Sequence, residues 1–157
     1  MLPDWSSHNS NIQLLANQLN SSFFYYDLDA FEEHLNQMKT CPAMLWYAVK
    51  ANPLSSVINS LNSQDYRFDV ASLGELRQVL KQGVRSENIL HTGPAKSKDQ
   101  LRSFLNLGVR IYVIESCQQL IDLNELSAEM KIFPKALLRV QLSWDHIQES
   151  NILGGNG

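Results

Sequence analysis

From Lys39 onward, short apolar runs alternate with segments whose apolar residues recur at helical spacing. The runs are Met44–Val49, Phe68–Ala71, Ile89–His91, Ile111–Ile114 and Ala136–Leu142. The helical segments between them are Leu54–Leu61, Leu73–Lys81, Lys98–Leu107 and Cys117–Leu126. Ser72, followed three residues on by Glu75, is a capping-box signature, and Ser97 after Pro94 caps the next helix. Gly83 and Gly108 fall where helices should stop. The strand-end positions Lys50, Ser72, Pro94 and Ser116 recur about every 22 residues, the length of one strand, one helix and two short loops. Five strands and four helices in strict alternation predict an α/β fold with parallel strands. Upstream, the pattern predicts a helix over Asn11–Leu19. Phe23–Asp29 reads as a short strand leading into a helix over Leu28–Met38.

An open doubly wound sheet and a (β/α)8 barrel both accept this pattern. A barrel typically needs about 250 residues, and five strands are too few to close one. No GxGxxG follows the first strand, which weakens a dinucleotide-binding reading. Composition narrows the function classes. The chain has 157 residues, is 44% hydrophobic and 18% charged, and carries a net charge of −3. That suits a globular domain with a core. No basic stripe points to nucleic acid, and no apolar run approaches the roughly twenty residues that cross a bilayer. Met1–Asn11 is polar and contains Asp4, unlike a secretory or transit leader. Cys41 and Cys117 make neither a metal spacing nor a disulfide framework, so a reducing cytoplasm is the expected setting.

The chemistry centres on Lys50, in Trp46-Tyr47-Ala48-Val49-Lys50-Ala51-Asn52-Pro53. Both faces of this apolar strand are expected to be buried, as in a parallel sheet. A lysine buried at such a strand end favours the neutral amine, which can attack a carbonyl. The competing reading is a lysine whose stem lies on the sheet and whose head reaches water.

Four segments occur in register: Tyr25-Tyr26-Asp27-Leu28-Asp29, Tyr47-Ala48-Val49-Lys50-Ala51-Asn52, Phe68-Asp69-Val70-Ala71-Ser72-Leu73-Gly74-Glu75 and His91-Thr92-Gly93-Pro94-Ala95-Lys96-Ser97. Together they resemble the fold-type III pyridoxal-phosphate-dependent decarboxylases, the alanine-racemase-like barrel enzymes that include diaminopimelate, ornithine and arginine decarboxylases. The resemblance runs from about residue 22 to the last residue. It implies the N-terminal part of a (β/α)8 TIM-type barrel, with residues 1–38 as a lead-in and 39–157 as a partial cofactor-binding barrel. It implies pyridoxal 5′-phosphate as cofactor, with Lys50 bonded to its aldehyde carbon. Asp69 matches the family's aspartate near the cofactor, and Arg139 matches an arginine lining the cofactor pocket. A strand-end or capping carboxylate, and an ion pair inside the sheet, are the competing roles for these two.

His91 and Lys96 fall after the third strand, where a plain surface loop is the expected reading. His34 and His146 fit solvated or capping positions, and Trp46 fits packing inside the barrel.

The implied function is decarboxylation of a diamino acid or related amino acid, by a homodimer with a small-molecule substrate and no nucleic-acid or membrane partner. The Thr92–Ser97 loop leans toward the siderophore and secondary-metabolite branch. Pro53-Leu54-Ser55 after the lysine argues against an alanine racemase, which is one alternative. A non-catalytic cofactor-binding or regulatory homologue is another. Ile152–Gly157 reads as a loop past a buried strand, and the family's phosphate loop and C-terminal β domain have no counterpart in these residues. The chain is therefore expected to be an N-terminal piece, inactive by itself and prone to self-association through an open strand edge.

Overall fold

A computed structural model describes residues 9–19 and 21–141. Leu142, His146 and the Ile152–Gly157 segment lie outside the described residues, as does most of Met1–Asn11. Helix α1 (Asn9–Leu19) and helix α2 (Leu28–Met38) precede the alternating unit. That unit runs β1 (Trp46–Ala48), α3 (Ser55–Ser63), β2 (Arg67–Val70), α4 (Leu73–Lys81), β3 (Ile89–His91), α5 (Lys98–Asn106), β4 (Ile111–Ile114), α6 (Cys117–Met130) and β5 (Lys135–Leu138). All five strands are parallel and lie in chain order, β1-β2-β3-β4-β5.

The helix starts are fixed by side-chain caps. The Ser72, Ser97 and Ser116 hydroxyls accept from the N–H groups of Glu75, Gln100 and Gln119, at 3.2, 3.2 and 3.3 Å. Each satisfies one of the donors that a helix N-terminus leaves without an intrahelical partner. Glu75 reaches back to the Ala71 N–H at 2.7 Å, a variant of the reciprocal capping box. At the other ends, Gly83 and Gly108 take the left-handed conformation, with φ of 79° and 92°. Gly108 is also tight: a Cβ there would lie 2.6 Å from the Ser86 Oγ.

Strand register assigns every residue a face. Phe68 pairs with Ile89, Val70 with His91, and His91 with Tyr112. Side chains in parallel register point the same way, and residues two apart share a face. Phe68, Val70, Ile89, His91, Tyr112 and Ile114 therefore form one face, and all are buried. The helices cover it with Val57, Leu61, Leu76, Val79, Leu101, Phe104, Leu123 and Leu126, which form one continuous core with the strands. Burying a side chain such as Phe104 contributes about 1.5–3 kcal/mol from apolar area alone. Helix α2 joins this core through Leu35, whose carbonyl accepts from the Tyr66 hydroxyl at 2.7 Å.

The opposite face carries Trp46, Ala48, Arg67, Asp69, Leu90, Ile111, Val113 and Leu137, by the same register. It is mostly half-buried, and β5 is exposed along its whole length. The expected burial of both faces of β1 is therefore not found: each of its three residues is intermediate, because helices cover only one side. Trp46 lies on the uncovered face, with the Arg67 guanidinium 5.3 Å from its ring. The strand expected at Phe23–Asp29 is also absent. Residues 22–27 are irregular, and Phe24 is 89% exposed, because no strand pairs with them.

His91 ends β3 instead of starting a surface loop. Its ring stacks on Phe104 at 3.7 Å between centroids and meets Tyr112 edge-on at 5.7 Å. Burial, with the nearby Lys96 charge, lowers its pKa from 6.5 to about 3. The unfolded chain then binds a proton that the fold refuses as pH falls from about 6.5 toward about 3. Stability should decline through that window and be insensitive to His91 above it. A His91→Phe variant should lose less stability than the parent between those pH values in urea unfolding, and equal losses would contradict this placement. Gly108→Ala should destabilise the fold by more than about 1 kcal/mol in the same measurement, through strain at positive φ and the Ser86 clash. An unchanged midpoint would show that the turn is relaxed.

Candidate active site

The C-terminal ends of the strands gather Lys50, Asp69, Glu115 and Arg139, while Arg67 and Lys135 share the uncovered face at the opposite strand ends. After Ala48 the backbone leaves β1 and winds one 3-10 turn, Val49–Ala51. Val49 is wholly buried and anchors the turn, while Lys50 stands exposed at the rim. The turn is held from below and ahead. The Tyr47 hydroxyl donates to the Asn52 carbonyl at 3.1 Å, and the Asn52 side chain accepts from the Leu54 N–H at 3.1 Å. Asn52-Pro53 thus closes the 3-10 turn through an Asx turn that leads toward α3. The burial expected for Lys50 does not occur, because the residue has already left the strand. Its candidacy rests on position, not on desolvation.

Asp69 sits beside Ala48 in register, one strand over. It is half-buried and accepts a short hydrogen bond from the Thr92 hydroxyl, 2.5 Å away. Burial pushes its carboxyl above the ordinary value. The Thr92 hydrogen bond and the charges of Lys50 and Lys96 pull it back down, while Glu75 adds to the rise. Lys50 is thus close enough to act on the Asp69 carboxylate.

Arg139 follows β5 directly, and its N–H donates to the Ile114 carbonyl at 2.9 Å. Its half-exposed guanidinium lies 3.7 Å from Glu115 Oε1. On the other side of that oxygen, also at 3.7 Å, is Lys96 Nζ. The Lys96 side chain is fully buried and donates to the Gly93 carbonyl. Burial lowers its pKa, and the Glu115 charge is the first force opposing that. The plain surface loop expected here is therefore a structured one. Gly93, with φ of 91°, lets the loop pass over Ala71, whose Cβ would stand 3.3 Å from an added Cβ. Buried Gln119 ties the loop to its neighbour: its amide donates to the Pro94 carbonyl at 2.9 Å and its oxygen accepts from the Glu115 N–H at 3.0 Å.

Lys50, Asp69 and Arg139, the residues singled out from sequence, thus share one face and one rim. His91 does not join them, and exposed His34 on α2 fits the solvated position expected for it. Sequence reading missed Thr92 and Glu115 and misplaced Lys96. Alternation could have found the first two, since Thr92 lies two residues past Leu90 and Glu115 two past Val113. A primary amine, two carboxylates and two further cations on one rim can engage a carbonyl and an anion together. Among the described residues no group of three His, Cys, Asp or Glu could hold a metal ion, and no helix is long and apolar enough to cross a membrane.

Comparison with known proteins agrees with this layout. The chain is 28% identical over 135 residues to a diaminopimelate decarboxylase of Campylobacter jejuni, covering 83% of this chain and 34% of that protein. It is 28% identical over 134 residues to the L-glutamyl-[BtrI acyl-carrier protein] decarboxylase of Niallia circulans, covering 83% of this chain and 31% of that protein. The chain therefore spans about a third of the length of these relatives.

In fold it is similar to a crystal structure of lysine/ornithine decarboxylase from Vibrio vulnificus complexed with cadaverine, with a TM-score of 0.77 and 24% identity. That match covers 89% of this chain and 38% of the other. Five parallel strands with crossover helices are thus the first part of the barrel of such enzymes. Residues 28–156 match the pyridoxal-binding domain of the pyridoxal-dependent decarboxylases, and the chain belongs to that family.

Proposed function

We propose that this chain supplies the cofactor lysine of a pyridoxal-phosphate-dependent amino-acid decarboxylase. The observation that carries the reading is Lys50, exposed at the C-terminal end of β1 on the rim that also holds Asp69 and Arg139. Catalytic groups of (β/α) barrels gather at that end of the strands. The donor set fits the cofactor. An exposed primary amine suits its aldehyde, a half-exposed guanidinium suits an anionic substituent, and the buried Glu115 oxygen has no hydrogen-bond partner of its own. When bound, pyridoxal phosphate supplies the electron sink for charge left at the α-carbon as CO2 departs.

The chain's own residues would bind and orient. Lys50 holds the aldehyde carbon through its amine. Asp69, held by the Thr92 hydroxyl, places its carboxyl beside that amine. Arg139, just past β5 on the same rim, attracts an anion.

The substrate on this reading is a diamino acid or another amino acid with a second polar end. The two curated relatives differ in what their names say they act on, and the Thr92–Ser97 loop favours the secondary-metabolite branch. Residues 1–38 serve as the lead-in and 39–157 as part of the cofactor-binding barrel, in a cytoplasmic homodimer when joined to the remainder of such an enzyme. The 157 residues alone are expected to be inactive, since the match covers only 34% and 31% of these two enzymes.

Titration with pyridoxal phosphate should give the parent protein a visible absorbance band that Lys50→Ala lacks. A band that survives in Lys50→Ala would assign the cofactor to another lysine. Incubating the 157-residue chain and cofactor with lysine, ornithine or diaminopimelate should release no CO2. Turnover would show that these residues suffice for catalysis.

A further inference from the structure

We propose that Glu115 is a positioning residue: it fixes the Arg139 guanidinium on the Lys50–Asp69 face, with Lys96 as its buried counter-cation. The proposal rests on the cofactor reading above and adds a residue to it. Register places the pair side by side, because Val113 pairs with Leu137 and each charged residue lies two further on. One oxygen, Glu115 Oε1, stands 3.7 Å from both Lys96 Nζ and Arg139 Nη1. That is within ion-pair range but beyond hydrogen-bond reach, and the oxygen is buried without a hydrogen bond.

A fully buried ammonium needs a counter-charge, and the Glu115 carboxylate 3.7 Å away supplies it, which holds that side chain in place. The backbone gives it little freedom, since the Glu115 N–H is tied to Gln119 and Gln119 to Pro94. Arg139 is the more exposed member. Its side chain is 52% exposed, and a long side chain in water retains its rotamer freedom unless something holds it. Glu115 is the carboxylate that holds it. Two cations around one carboxylate leave a surplus positive charge on the rim, which suits an anionic group there.

Three readouts test this on the same variants: thermal melting, the 15N heteronuclear NOE of the Arg139 Nε–H without cofactor, and affinity for pyridoxal phosphate by titration of the visible band. Glu115→Gln should lower the melting temperature, turn the Arg139 side chain mobile and weaken cofactor affinity by about tenfold, as loss of a charge-assisted contact does. The double variant Glu115→Gln/Lys96→Met removes both buried charges. It should recover the melting temperature while Arg139 stays mobile and affinity stays weak. Glu115→Asp should restore part of the affinity.

An Arg139 that remains rigid in Glu115→Gln would overturn the proposal. So would a double variant that regains affinity along with stability, since Glu115 would then act only through the fold. A parent protein with no visible band would instead overturn the cofactor reading, and the NMR readout, which needs no cofactor, separates the two failures.

Discussion

Parallel pairing in register is the constraint from which the rest of this structure follows. Once Phe68 lies beside Ile89 and Val70 beside His91, the period of two commits each strand residue to one face. Right-handed crossovers place the helices on a single side of a sheet whose strands run in chain order. The apolar positions that meet those helices become the core, and they include a neutral histidine stacked on Phe104. The other positions must face away, whatever their chemistry. Asp69, Thr92, Glu115 and Arg139 come together because each falls on that second face at the same end of its strand.

That arrangement separates stability from chemistry. The helix side is close-packed and almost wholly apolar, so it supplies the burial that holds the fold. Charges collect where the helices do not reach. Lys96 is the exception, since its ammonium is buried in the loop between β3 and α5. Burying that cation is tolerable because Gly93 offers a carbonyl and Glu115 a negative charge. The loop then has little freedom, and Gln119 bridges it to the end of β4. The rim is thus built from loops braced against one another, although loops are usually the mobile parts of a fold.

Much of the fold was legible in the residues. Leu28–Met38, Leu73–Lys81, Ile89–His91 and Ile111–Ile114 fall at the bounds that periodicity and caps indicate. Ser72 and Ser97 cap as expected, because a helix N-terminus needs a local acceptor whatever surrounds it. What failed was whatever depends on a distant partner. Phe23–Asp29 has the apolar content of a strand but no neighbouring strand to pair with. Lys50 was expected to be buried because its strand is apolar, yet the backbone turns away one residue earlier. Lys96 reads as a surface lysine, since nothing local announces a carboxylate nineteen residues further on. The family was legible only through four motifs in register, and the Glu115 contacts were visible only in three dimensions.

The central claim is that Lys50, exposed at the end of β1, is the residue that bonds the cofactor. Borohydride reduction of the protein with pyridoxal phosphate, followed by peptide mass spectrometry, tests it directly. The account predicts a phosphopyridoxyl group on the peptide containing Lys50. The same group confined to another lysine, such as Lys96 or Lys135, would contradict it, as would a protein that traps none.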